Sequence, residues 1–218
     1  HPSRKLCLVA VTGTNGKTTT AHLVASILNQ EGYRSGVIGT LGARVLGDEG
    51  ELELQRTTPE SVDLQRLLAE FVGRGIQAVT MEVSSHALKL ERVRGCAFDV
   101  AVFTNLTQDH LDFHESLDEY RAAKARLFTD YADSSIEFKQ YGAVINADDA
   151  AGVEFAELCP LPTLTYGIQN ETAHLRAEAV TIEASGAAFT AVRPGRETPI
   201  KLKITGRFNV YNALAAFG

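Results

Sequence analysis

Lys17 and Thr18 follow directly on a loop with two glycines, and residues of these types in this order are suited to binding phosphate. The loop, residues 12–16, has the sequence TGTNG. Glycines let backbone N–H groups converge on an anion, and the N-terminus of a following helix adds the positive end of its dipole. The lysine can neutralise charge on β- and γ-phosphates, and the threonine hydroxyl can bind Mg²⁺. The sequence therefore predicts a phosphate-binding loop.

The loop departs from the usual P-loop spacing, G-x-x-x-x-G-K-[ST]. The residue five positions before Gly16 is Val11, so only the shorter form GTNGKTT is present. The alternative is a tight turn between a strand and a helix, with a surface lysine. The order of apolar strand, glycines, lysine, threonine and amphipathic helix favours the phosphate site.

Glu82 and His110 follow apolar runs that predict buried strands at residues 76–83 and 98–106. The carboxyl ends of parallel strands meet at one edge of a sheet, where ligands bind. A carboxylate in an apolar strand is costly unless it is paired or binds a metal, and Mg²⁺ prefers oxygen ligands. We expect both side chains at a metal–phosphate centre. The alternatives are an ion-paired Glu82 beside helix-capping serines and a structural histidine.

Lys124 lies on the apolar stripe of a helix predicted at residues 116–128, where Ser116 and Glu119 form a capping box. A lysine on an inward face has two explanations. Its aliphatic part can cover apolar surface while the amine reaches water. Alternatively, burial lowers its pKa and makes the amine available for chemistry.

Thr57 and Thr58 precede a helix predicted at residues 61–73. Thr57 with Glu60 fits a capping box, and Pro59 suits the first helical position. The functional alternative is that the two hydroxyls and the free N–H groups of the helix N-terminus hold an anionic substrate. The local sequence leaves both readings open.

Strands and helices alternate through most of the chain, which is typical of a parallel sheet covered by helices. We predict an α/β fold, a P-loop-type mostly parallel sheet flanked by helices, in residues 1–168. A small antiparallel β subregion follows near the C-terminal end, in residues 173–205. A further edge strand is expected at residues 51–55.

Composition excludes several classes of protein. The 218 residues carry a net charge of −6 without a block of Lys or Arg, so neither nucleic acid nor an anionic membrane is an expected partner. No apolar run is long enough to cross a bilayer, and no signal peptide is visible. Cys7, Cys96 and Cys159 are too far apart for a CxxC motif, and three cysteines favour the reducing cytoplasm.

The chain resembles the central, ATP-binding domain of the Mur ligases, and among them the members that extend UDP-N-acetylmuramoyl-L-alanyl-D-glutamate. The segment TGTNGKT alone is also similar to folylpolyglutamate synthase and cyanophycin synthetase. TTPE together with MEVSSHAL narrows the resemblance. The matching segments, in order along nearly the whole chain, are VTGTNGKTTT, TTPE, MEVSSHAL, ERVRG, FTNLTQDHLDFH, YRAAKARLF, VINADD and GRFNVYN.

The resemblance implies ATP and Mg²⁺ as cofactors, and it implies roles for particular residues. One departure concerns Leu90, where many relatives carry Gln, which affects one substrate contact. The implied ATP contacts are Gly13, Thr14, Asn15, Gly16, Lys17, Thr18 and Thr19, with Asn209 and Asn212 near the adenine. The implied metal ligands are Thr18 for one Mg²⁺ and Glu82, His110 and Lys124, the last as N6-carboxylysine, for a second. The implied catalytic residues are Lys17, Lys124, His110 and Glu82. The implied contacts to the UDP-muramoyl dipeptide are Thr57, Thr58, Ser84 and Arg92.

The implied reaction is ATP-driven amide formation. A carboxylate of the dipeptide attacks the γ-phosphate, and the amine of an amino acid then displaces phosphate from the acyl phosphate. The resemblance leaves open whether this amino acid is meso-diaminopimelate or L-lysine. The family has three domains, so residues 1–218 are expected to be the central one, separated here from the N-terminal UDP-binding and C-terminal domains and inactive alone. The alternatives are a folylpolyglutamate synthase-like ligase and a P-loop module that does not ligate.

Overall fold

The computed structural model describes residues 1–49, 52–107, 113–114, 116–131 and 142–218. A 3₁₀ turn over Pro2–Lys5 leads into the first strand. The strands are β1 (Cys7–Thr12), β2 (Ser35–Gly39), β3 (Gly42–Val45), β4 (Ala78–Glu82), β5 (Val100–Phe103), β6 (Gly142–Asn146), β7 (Thr163–Gly167), β8 (Leu175–Glu183), β9 (Gly186–Arg193) and β10 (Arg196–Leu202). The helices are α1 (Lys17–Gln30), α2 (Ser61–Gly73), α3 (Ser85–Lys89), α4 (Leu117–Ala125), α5 (Ala150–Leu158) and α6 (Arg207–Phe217).

The strands of the described residues form a single sheet in the order β10-β9-β8-β7-β6-β5-β1-β4-β2-β3. The chain leaves β1 towards β4 and β2 on one side and later returns to β5 on the other. In an open α/β sheet a ligand binds where the strand order reverses in this way. In register, Val11 of β1 lies beside Glu82 of β4, and Thr12 lies beside Phe103 of β5.

Both faces of β1 are buried, which explains its unbroken apolar run. Leu8 and Ala10 belong to a core cluster with α2 and α5. Val9 and Val11 belong to a second cluster on the opposite face, with α1 and α6. The α/β prediction of a mostly parallel sheet flanked by helices is confirmed.

The antiparallel strands continue the main sheet. β8 pairs in parallel with β7, with Tyr166 beside Leu175. β9 and β10 are then added antiparallel at the same edge. The predicted antiparallel region at residues 173–205 is therefore present as an extension of the sheet.

The predicted edge strand at residues 51–55 is wrong over its described part. Of residues 52–55, only Leu52 pairs with the sheet, in one antiparallel bridge to Ala43. Gly42, with φ of +98°, closes a tight hairpin directly after β2. Gly42–Val45 take the edge position as β3, a strand that was not predicted from the sequence.

Candidate nucleotide and metal site at the carboxyl edge of the sheet

The glycines of the loop after β1 are required by close packing as well as by backbone conformation. Gly16 is the N-cap of α1 with φ of +84°, in the left-handed region. A Cβ at Gly16 would overlap Oδ1 of Asn212. A Cβ at Gly13, where φ is +148°, would overlap Oγ1 of Thr104. The loop therefore tolerates side chains at neither position.

The polar residues that follow β5 hold this loop in place. The backbone N–H of Thr14 donates to the carbonyl of Asn105 at 2.8 Å, and that of Asn15 donates to the Asn105 side chain at 2.9 Å. Thr104 donates its hydroxyl to the Asn15 carbonyl at 2.7 Å. Neither Thr104 nor Asn105 is among the site residues predicted from the sequence. The only signal for them was their position after a buried strand.

Two lysines converge on the loop. Nζ of Lys17 donates to the carbonyls of Gly13 at 3.0 Å and Thr14 at 2.8 Å. Nζ of Lys124 donates to the same Gly13 carbonyl at 2.9 Å and lies 4.4 Å from the centroid of the Tyr120 ring. Lys124 is 1% exposed, so the inward orientation predicted from the helix stripe is confirmed, and the amine does not reach water. This part of the site concentrates positive charge.

The helix that carries Lys124 is shorter than predicted. It begins after Ser116, whose side chain accepts a hydrogen bond from the N–H of Glu119 at 3.1 Å, as the capping prediction requires. The α-helix ends at Ala125, and turns follow as far as Tyr131. Lys124 is thus in the last turn of α4, where its side chain reaches back to the loop after β1.

Glu82 ends β4 as a buried carboxylate, 1% exposed. Its Oε1 accepts the backbone N–H of Thr40 at 2.9 Å, and its Oε2 accepts the Thr40 hydroxyl at 3.2 Å. Among the described residues it has no ion pair, so the alternative of a salt-bridged Glu82 is wrong for that part of the chain. A buried carboxylate without an ion-pair partner in the described part of the chain suits a divalent cation, which prefers oxygen ligands.

The other expected metal ligands are placed less completely. His110 lies outside the described residues. Thr18 is half-buried in the first turn of α1. Within the described ranges no group of three His, Cys, Asp or Glu side chains forms a metal cluster. Glu82 nevertheless lies at the edge formed by the ends of β1 and β4, and Thr18 follows the loop after β1. Lys124 reaches the same loop from α4.

The predicted Thr57–Glu60 capping box is wrong. Glu60 is the N-cap of α2, its side chain does not cap the helix, and Pro59 lies before the first helical residue. The two threonine hydroxyls instead face the end of β4. Thr57 contacts the Thr40 hydroxyl at 3.1 Å, and Thr58 donates to the Glu82 carbonyl at 2.9 Å.

Arg92 and Ser84 lie beside the same threonines. Arg92 is 5% exposed, donates to the Thr58 carbonyl at 3.3 Å and pairs with Glu60 at 3.0 Å. Its Nε is buried and has no hydrogen-bond partner among the described residues. The Ser84 side chain accepts the N–H of Ala87 at 3.2 Å and so caps α3, and its own N–H donates to the Thr58 hydroxyl. The four residues expected to bind substrate therefore form one cluster.

A cavity of about 560 Å³ opens beside the loop, a volume suited to a small ligand. Asn212 of α6 lines it, whereas Asn209 lies behind, where it accepts a hydrogen bond from Asn212 at 3.1 Å. Phe208 is 68% exposed and presents its ring to this space. The residues that line the cavity are Asn15, Gly16, Thr19, Asn105, Asn146, Phe208, Tyr211 and Asn212.

Comparison with known proteins assigns the family. Residues 11–218 match the Mur ligase middle domain. The chain belongs to this family. As a Mur ligase middle domain, it shows 43% identity over 216 residues to the UDP-N-acetylmuramoyl-L-alanyl-D-glutamate--2,6-diaminopimelate ligase of Bacillus cereus. It shows 46% identity to the ligase of the same name from Bacillus velezensis. In both comparisons 99% of this chain is covered, and it spans 43% and 44% of the relatives' length.

Two solved ligase structures share the fold of this middle domain. A UDP-N-acetylmuramoyl-L-alanyl-D-glutamate--2,6-diaminopimelate ligase superposes with a TM-score of 0.85 at 34% identity, covering 97% of this chain and 42% of the other. A folylpolyglutamate synthase from Mycobacterium tuberculosis superposes with a TM-score of 0.72 at 16% identity, covering 99% and 54%. The second likeness concerns the fold alone.

In this Mur ligase middle domain, Asp148 fixes the wall of the cavity next to Tyr211. Burial raises the pKa of Asp148, but hydrogen bonds from the N–H groups of Gln169, Ile168 and Asn170 and from the Tyr211 hydroxyl outweigh it and lower the pKa overall. Burial and the 2.7 Å bond to Asp148 raise the pKa of Tyr211 to about 12. The phenol therefore stays protonated and donates at neutral pH.

The described part of the chain contains no helix long and apolar enough to cross a membrane.

Proposed function

We propose that this chain is the ATP-binding middle domain of a ligase that adds an amino acid to UDP-N-acetylmuramoyl-L-alanyl-D-glutamate in peptidoglycan synthesis, a MurE-type enzyme. The observation that carries the proposal is the pair of lysines on the Gly13 carbonyl, next to a glycine loop at the start of a helix. The names of relatives at 43–46% identity over nearly the whole chain give the substrate class. They also favour 2,6-diaminopimelate over lysine as the added amino acid.

ATP fits the loop and the neighbouring cavity. The backbone of residues 13–19 and the N-terminus of α1 would hold the phosphates, with Lys17 placing a positive charge beside them. The base would enter the cavity beside Asn212, which Asn209 orients from behind.

Mg²⁺ fits the donor set at the ends of β1 and β4. Thr18 would offer an oxygen ligand to one Mg²⁺. Glu82 would offer oxygen ligands to a second, and Lys124 would add two more when its amine carries CO₂ as N6-carboxylysine. On the family resemblance, we also propose His110 as a ligand of the Mg²⁺ that Glu82 would bind. When bound, Mg²⁺ would neutralise phosphate charge and polarise the phosphoryl oxygens.

The proposed reaction has two steps. The γ-carboxylate of the D-Glu residue attacks the γ-phosphate, which breaks the bond to ADP and forms an acyl phosphate. The amine of the incoming amino acid then attacks the acyl carbon, loses a proton and displaces phosphate. The first step brings two anions together, so this chain would contribute mainly positive charge and positioning. Lys17, whose Nζ contacts the loop at Gly13, would lie beside the phosphates.

The dipeptide substrate would bind at the threonine–arginine cluster. Thr57, Thr58 and Ser84 offer hydroxyls and Arg92 offers a buried guanidinium whose Nε lacks a partner among the described residues. An anionic substrate group would satisfy that donor. Leu90 is 52% exposed two residues before Arg92, and a leucine cannot supply the side-chain amide that the family resemblance implies at this position.

We further propose that residues 1–218 are one domain of three. The chain spans less than half of the curated relatives it matches. An N-terminal UDP-binding domain and a C-terminal domain would complete the substrate sites, so the 218-residue chain alone is expected to fold without ligating. Use of ATP and a UDP-linked substrate supports a cytoplasmic location.

The decisive experiment supplies the full-length protein with ATP, Mg²⁺, UDP-N-acetylmuramoyl-L-alanyl-D-glutamate and either meso-diaminopimelate or L-lysine. We expect ADP, phosphate and a tripeptide product whose mass identifies the added residue. A parallel reaction with a reduced folate and glutamate tests the folylpolyglutamate alternative. ATP binding without product in either reaction would favour a non-ligating nucleotide-binding module and would contradict the proposal.

A further inference from the structure

Glu82 is held by Thr40, a residue outside the matching segments quoted above. Thr40 follows β2, the strand beside β4. It holds both carboxylate oxygens of Glu82, Oε1 through its backbone N–H at 2.9 Å and Oε2 through its hydroxyl at 3.2 Å. Glu82 is buried while Thr40 is exposed, so Thr40 covers the carboxylate on its solvent side.

Gly39 makes room for this arrangement. A Cβ at Gly39 would overlap Oε1 of Glu82 and lie 2.7 Å from its carboxyl carbon. Any side chain at this position must therefore displace the carboxylate. Gly39 and Thr40 together fix the position of the Glu82 carboxylate. Gly39 leaves room for it because glycine has no Cβ, and Thr40 supplies two hydrogen-bond donors to it.

The hydroxyl of Thr40 also contacts Thr57, at 3.1 Å between the two oxygens. Because the Thr40 hydroxyl has one proton and donates it to Glu82, Thr57 is the donor in the second bond. The three groups form a chain from Thr57 through Thr40 to Glu82. Hydrogen bonds in such a chain polarise one another, so a change at one end alters the other.

We propose that Thr40 is a positioning residue that sets the orientation of Glu82 and couples it to occupancy of the substrate site at Thr57. The inference rests on the proposed function, in which Glu82 binds the metal and Thr57 contacts the dipeptide. If a substrate group accepts the hydrogen bond of the Thr57 hydroxyl, Thr40 loses this donor. The hydrogen bond from Thr40 to Glu82 then changes in strength. Substrate binding and metal binding then depend on each other.

The first test measures Mn²⁺ binding by electron paramagnetic resonance to the full-length protein with a non-hydrolysable ATP analogue, a readout independent of turnover. Thr40→Val removes the hydroxyl and keeps the shape and the backbone donor. We expect its Mn²⁺ affinity to fall about tenfold, as for the loss of one hydrogen bond to a charged group. Thr40→Ser should restore the affinity. Thr198→Val, on β10 at the far edge of the sheet, is the matched control.

The second test measures coupling. The dipeptide should change Mn²⁺ affinity in the unmodified protein by a factor that Thr40→Val and Thr57→Val each reduce. The double variant should lose no more than either single variant, because both break the same chain of hydrogen bonds. Circular dichroism confirms that each variant is folded.

The outcomes separate the two proposals. If the unmodified protein ligates and Thr40→Val binds Mn²⁺ like Thr198→Val, the inference is wrong and the proposed function stands. Independent, multiplicative effects of the Thr40 and Thr57 variants also overturn it. If the unmodified protein neither ligates nor binds Mn²⁺, the proposed function fails first and the inference fails with it.

Discussion

Lys17 and Lys124 donate to the same oxygen atom, the carbonyl of Gly13, at 3.0 and 2.9 Å. They approach it from different elements, the first turn of α1 and the last turn of α4. Two like charges this close repel each other, and the repulsion is greater where one of them is buried. In the proposed site, the phosphates of ATP in the loop would offset this repulsion, and so would conversion of the Lys124 amine to a carbamate.

Replacing Lys124 tests this relationship. In the full-length protein, Lys124→Met keeps most of the apolar volume beside Tyr120 and removes the amine, so we expect kcat of the proposed ligation to fall at least 100-fold with little loss of stability. Lys201→Met, an exposed lysine on β10, is the control. In Lys124→Ala, short carboxylic acids should restore part of the activity by supplying the missing carboxylate. Undiminished activity in both variants would remove the proposed role.

The sequence predicted the central strands because their apolar runs are buried on both faces. It predicted the inward position of Lys124 because helical spacing placed this lysine among apolar residues. Thr40, Thr104 and Asn105 could not be selected in this way. Their roles come from contacts across the sheet, to Glu82 and to the loop after β1, and local pattern carries no information about such contacts. The wrong capping-box prediction at Thr57 has the same cause. The hydroxyls of Thr57 and Thr58 form hydrogen bonds with residues distant in sequence, Thr40 and Glu82, and do not cap the helix.

Gly16→Ala should abolish nucleotide binding and destabilise the chain. The left-handed backbone at φ of +84° costs a residue with a Cβ about 1 kcal/mol or more, and the added methyl overlaps the Asn212 side chain. Gly195→Ala provides a control with φ of +75° and no atom within 4 Å of the added methyl. Urea unfolding and titration with a fluorescent ATP analogue measure the two effects. Equal behaviour of the two variants would show that the overlap with Asn212 is unimportant.

Arg92→Lys should weaken binding of the dipeptide more than it slows the reaction. Lysine keeps the charge but cannot reach the Thr58 carbonyl, Glu60 and a substrate group together, as the planar guanidinium can. We expect KM for the dipeptide to rise about tenfold with kcat within about threefold. Arg94→Lys, at an exposed arginine paired with Glu91, is the control. A fall in kcat at constant KM would contradict a role in substrate binding.

Asp148→Asn should remove a component of stability that depends on pH. The pKa of Asp148 is lowered in the folded chain, so its carboxylate stabilises the fold above the unfolded value near 3.8 and loses this effect as pH falls through the lower folded value. At pH 7 we expect Asn to reduce the free energy of unfolding by roughly 1 kcal/mol, since the group is partly exposed and the amide accepts fewer of the four hydrogen bonds. The difference between the two proteins should shrink as pH falls below about 4, because the protonated carboxyl is also a poorer acceptor. Urea unfolding of the 218-residue chain at pH 7 and pH 3 measures it, with the exposed Asp118→Asn as control. A difference that stays constant between these pH values would mean that the charge of Asp148 does not stabilise the cavity wall.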